Sequence, residues 1–95
     1  MNAEAIVIEA IGWAAAVIIL AAYILLSLGK LQARAYVYQL MNVVGAAGFV
    51  VNSGYNGAIP SAALNVVWAA IGLFTLWSVW RQRPRATAAD EIGIR

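Results

Sequence analysis

Cysteine and histidine are absent from this chain. Within it, disulfides, thiolate catalysis and the usual zinc and haem sites are thereby excluded, and neither a metal nor a cofactor is expected. Charge is scarce as well. Charged residues make up 11% of the chain, and the carboxylates are Glu4, Glu9, Asp90 and Glu91. None of these pairs with another inside a predicted pocket, so general acid–base chemistry has no positioned group to run on. Tyr23 and Ser27 stand one helical turn apart with no base beside them. The run GAAG at 45–48 lacks the lysine and the helix-start context of a phosphate-binding loop. No enzyme is expected.

The basic residues are Lys30, Arg34, Arg81, Arg83, Arg85 and Arg95, giving a formal net charge of +2. Most flank apolar runs, where arginine and lysine serve as membrane anchors and topology signals. No folded basic surface is visible to track a nucleic-acid backbone, so no nucleic-acid partner is expected.

What the chain has in abundance is apolar surface. Hydrophobic residues reach 64% and the mean hydropathy is +0.83 in 95 residues. A soluble domain of this size cannot hide that much, so lipid is the expected solvent. Residues 10–29 are free of charge and, at about 1.5 Å per residue, long enough to cross a hydrocarbon core of roughly 30 Å. A cleaved signal peptide would start with a positive segment. Here the start carries Glu4 and Glu9 and no Lys or Arg.

Residues 35–80 are again free of charge, enough for two spans joined by NSGYNGAIPS at 52–61. Asn and Gly tolerate the dihedrals of a turn, and Pro60 suits a helix start. The expected architecture is all-α: an integral membrane protein with transmembrane helices at about 8–29, 35–53 and 60–82 in a compact three-helix bundle. Residues 1–83 form one domain and 84–95 a flexible cytoplasmic tail. Lys30, Arg34, Arg81, Arg83 and Arg85 all fall on one side of this arrangement, which the positive-inside rule assigns to the cytoplasm. That places the N-terminus outside and the C-terminus inside, in a multi-pass protein of a bacterial inner membrane.

Polar residues mark faces of the apolar helices. Gln39, Asn42, Ala46, Phe49, Asn52 and Ser53 recur at helical spacing in the second span, with Gly45 close by. Ser61, Asn65, Trp68, Gly72 and Thr75 do so in the third. Antiparallel pairing brings Asn52 toward Ser61 and Asn65, and Asn42 toward the level of Gly72. Gly45 and Gly72 let backbones approach. The inner stripe expected for the first span is Glu9, Trp13, Ala16, Leu20, Tyr23 and Ser27, with the Tyr23 hydroxyl needing a partner. Asn42, Asn65, Trp68, Gln39, Asn52 and Tyr23 thus form either a hydrogen-bonded seam or the lining of a polar solute site, since an amide both donates and accepts. Three helices scarcely enclose a cavity, so a solute site implies at least two copies.

The segments YQLMNVVGAAGFVVNS, 38–53, and AIPSAALNVVWAAIG, 58–72, resemble a family of small, uncharacterised, permease-like bacterial membrane proteins. The resemblance rests on Leu40, Asn42, Gly45 and Asn52 with Pro60, Ser61, Leu64, Asn65 and Trp68. A more distant similarity is to the bacterial half-transporters related to SWEET proteins, which have three helices per chain and bind a sugar in a homodimer. It implies a place near a pocket for Asn65 and Trp68. That type carries a Pro-Gln pair in its first helix, whereas residues 10–29 here hold neither proline nor glutamine.

Two functional expectations stand. One is a homo-oligomeric, permease-like carrier or binder of a small polar solute. The other is a non-transporting accessory or structural subunit of a larger membrane complex. Partners are accordingly a second copy or another membrane protein, membrane lipids, and a small polar solute.

Overall fold

The computed structural model describes residues 2–82, and three helices account for nearly all of them: α1 (Ala3–Ser27), α2 (Tyr36–Tyr55) and α3 (Ile59–Arg81). Arg83, Arg85 and the tail expected at 84–95 lie outside the described residues. α1 begins earlier than the charge-free run because Asn2 caps it, its Oδ1 accepting the Ala5 N–H at 2.7 Å. A side-chain oxygen at that position satisfies one of the orphan donors of the first turn.

Both links are built alike. After α1, Gly29 turns left-handed at φ 75°, its N–H donates to Leu26 O at 3.0 Å, and the Lys30 N–H donates to Leu25 O at 2.9 Å. After α2, Gly57 does the same at φ 74°, with Gly57 N–H on Gly54 O and Ala58 N–H on Ser53 O. Such paired bonds close the last carbonyls of a helix, and glycine alone enters the left-handed region without a steric cost. Pro60 is the second residue of α3, where a missing N–H breaks no bond.

Among the described residues, α2 packs against α1 on one flank and α3 on the other, and α1 and α3 do not pack on each other. The expected compact bundle is therefore corrected: the helices form an open layer with α2 in the middle. Small residues let the helices approach. Ala15, Ala22 and Ala46 are buried, as are Gly45 and Gly72, while among the described residues no large side chain is fully buried. A Cβ added at Gly48 would lie 2.8 Å from the Ala15 Cβ, and one at Gly72 would lie 2.7 Å from Val43 Cγ2. Gly45 abuts Ile19 of α1 in the same way. Close backbone approach through small residues is how helices associate where lipid removes the hydrophobic driving force.

The face of α1 differs from expectation. Ile8, Ile11, Gly12, Ala15 and Ile19 meet α2, and Ala22 is buried on the same helix. Trp13 is 68% exposed and Tyr23 62% exposed. α1 is apolar all round, so its aromatic and polar residues carry no information on rotation. Its alanines and glycine do, because only they admit a neighbouring backbone.

α1 and α3 are long and apolar enough to cross a membrane; α2 is not. Only 11% and 6% of the apolar windows of α1 and α3 are buried, which is unlike the core helix of a soluble protein. The 20 residues of α2 match the thickness of a hydrocarbon core at about 1.5 Å each, but its amides, serine and glycines lower its hydropathy. Of these residues, Asn42, Gly45 and Ser53 are buried in the layer.

Candidate functional site

The open layer leaves a groove between the outer helices. Ile19 of α1 forms one wall, Phe49 of α2 the floor, and Ser61, Leu64, Asn65 and Trp68 of α3 the other wall, around about 320 Å³. That volume falls at the small end of ligand sites, and mixed apolar walls with few polar groups are their usual chemistry. Asn65 Nδ2 donates to Ser61 O, one turn back, at 2.9 Å. A carbonyl only accepts, so this bond fixes the amide flip and leaves Oδ1 as the acceptor that Asn65 offers.

A second, smaller space of about 140 Å³ lies between α2 and α3, lined by Tyr38, Gln39, Asn42, Trp68, Ile71 and Gly72. Asn42 is 7% exposed. Gln39 Nε2 donates to Ala33 O at 2.7 Å, tying the start of α2 to the preceding link. Trp68 lines both spaces. A third hollow, of about 250 Å³, lies between α1 and α2 against Glu9, Gly12, Trp13, Ala16, Phe49 and Asn52. In it Trp13 Nε1 donates to Glu9 Oε1 at 3.1 Å, within one helix.

The structure thus brings Gln39, Asn42, Trp68 and Gly72 together and sets Asn65 beside Trp68. It separates two others. Asn52 does not meet Ser61 or Asn65; its Nδ2 donates to Ile8 O of α1 at 2.9 Å. Its neighbour Ser53 makes the bond to α3 instead, Oγ to Oγ of Ser61 at 2.9 Å. Consecutive residues on a helix point about 100° apart, so one of the pair serves each flank. Tyr23 is 62% exposed and does not line the groove. Gly45 approaches α1 and only Gly72 serves the α2–α3 contact. Gly48 of α2 does similar work against α1, and Gly12 of α1 does it against Asn52 of α2. Their signal in the sequence was smallness alone.

The cations gather at one end. Lys30 and Arg34 lie in the link after α1, and Arg34 Nη2 donates to Gln82 Oε1 at 3.3 Å, with Ser78 Oγ 3.5 Å away. The Arg81 guanidinium lies over the Trp77 ring, 4.6 Å from its centroid, a favourable contact with the negative ring face. Glu4 and Glu9 are at the opposite end of α1.

Residues 8–83 match the model of an uncharacterised protein family. The chain belongs to that family. The matched stretch takes in α2, α3 and all of α1 beyond its first five residues. No curated protein and no solved structure matches the chain, and no similarity to the SWEET-type half-transporters is found.

Proposed function

We propose that this protein is a three-span inner-membrane protein, N-terminus outside and C-terminus inside, in which two copies bind a small hydroxyl-bearing solute and pass it across the bilayer. Two helices with apolar, largely unburied surfaces support the membrane placement. Lys30, Arg34 and Arg81 at one end and none at the other support the orientation. α2 then crosses as the sheltered middle helix, its amides turned to protein on two flanks rather than to lipid.

The observation that carries the solute reading is the groove itself. An amide acceptor at Asn65 and an indole face at Trp68 stand side by side on a surface closed on three sides only. A second copy laid over the open side makes a chamber of two such walls, where a hydroxyl group donates to Asn65 Oδ1 and a ring or chain lies on Trp68.

Native mass spectrometry of the protein in mild detergent tests this reading. A dimer retaining a small molecule, lost in Asn65→Ala while the dimer persists, is the expected result. A ligand-free monomer under membrane-like conditions would overturn it. A different protein retained in stoichiometric amount favours the accessory-subunit reading, for which the exposed α1 side chains Trp13, Leu20 and Tyr23 offer a contact face.

A further inference from the structure

At the charged end, away from the groove, a separate cavity of about 380 Å³ is lined by Leu25, Leu28, Lys30, Leu31 and Val37. Its walls expose carbon only, so Lys30 contributes the methylenes of its stem and its ammonium stands outside. The setting is fixed. Lys30 is held by its own N–H on Leu25 O in the paired bonds that end α1, and Leu31 is 4% exposed beneath it. We propose that this cavity seats an acyl chain of an anionic phospholipid of the inner leaflet, with the Lys30 ammonium on the lipid phosphate.

Three observations converge on that occupant. An all-carbon cavity does not hold water well, because water there finds no hydrogen-bonding partners, whereas a lipid chain fills it without loss. The other described cations of this end are engaged, Arg34 with Gln82 and Arg81 with Trp77. The described carboxylates, Glu4 and Glu9, lie in the N-terminal part of α1, away from this end. The cavity therefore presents an apolar slot with a positive charge at its edge, the complement of a chain joined to a phosphate. A basic side chain at a membrane surface favours an anionic over a zwitterionic lipid by about fivefold.

The proposal rests on the membrane placement above and is independent of the solute site. The test uses the full chain, delipidated in mild detergent and titrated by native mass spectrometry with phosphatidylglycerol and phosphatidylethanolamine of identical chains. Phosphatidylglycerol should be retained about fivefold more strongly. Lys30→Gln should bring the two lipids level, Lys30→Arg should keep the preference, and Leu28→Trp, an exposed rim position that tolerates bulk, should weaken both by filling the mouth. Equal retention of the two lipids by the unaltered protein, or an undiminished preference in Lys30→Gln, would refute the site. Displacement of lipid by inorganic phosphate would show a free-anion site and refute it equally. Protein released from membranes by an alkaline wash without detergent would refute the membrane placement, and this site with it.

Discussion

Replacing Gly48 by alanine adds one methyl group where α1 presses on α2. The new Cβ would stand 2.8 Å from the Ala15 Cβ and 3.5 Å from Ile11 O. Carbon pairs rest at about 3.5–4.0 Å, so the helices must part by about 0.7 Å or more. Ala15 has no rotamer to swing aside, and backbone must move. Overpacking of this kind costs about 1–3 kcal/mol, against a helix-propensity gain of about 0.8–1.0 kcal/mol for alanine over glycine. Gly54, in the same helix, supplies the control. Nothing lies within 4 Å of a Cβ there, so Gly54→Ala receives the propensity gain with no packing cost. The shared gain cancels in the difference, which should be about 1–3 kcal/mol in favour of Gly54→Ala. Unfolding of both variants by SDS in mixed micelles, followed by circular dichroism and tryptophan emission, measures it. Equal stabilities, or a more stable Gly48→Ala, would show that α1 and α2 are not in close contact at this level.

Three further outcomes are expected. Asn52→Leu removes the bond to Ile8 O and should cost about 0.6 kcal/mol, with about 1.7 kcal/mol as a ceiling, in the same unfolding assay; no loss would place Asn52 elsewhere. A double-mutant cycle with Ser53→Ala and Ser61→Ala should return a coupling of about 0.6 kcal/mol, and purely additive effects would deny the bond between α2 and α3. Because the chain lacks cysteine, Lys30→Cys and Asn56→Cys give clean single labels. In inverted and right-side-out vesicles an impermeant maleimide should reach them from opposite faces, and labelling of both from one face would remove α2 as a span.

The three helices could be read from hydrophobic runs and turn residues, since Gly29, Gly57 and Pro60 sit where the chain must stop or start a helix. Rotation was harder to read. In α2 the amides alternate with valines, and Asn42 is indeed buried. In α1 the polar residues misled: Glu9 and Trp13 bond to each other along their own helix, whereas the packing face is drawn by Gly12, Ala15 and Ala22. In lipid a polar group is not driven inward when it can be satisfied locally, and a small residue is what permits contact. The partner of Asn52 could not be read either. Asn52 and Ser53 are both polar and adjacent, and which flank each serves depends on a rotation that spacing within α2 alone does not determine.

Asn52 anchored to α1 and Ser53 anchored to α3 make the middle helix a keystone between abutments that never touch. Any turn of α2 about its long axis tugs both anchors at once, so one flank cannot loosen without the other registering it.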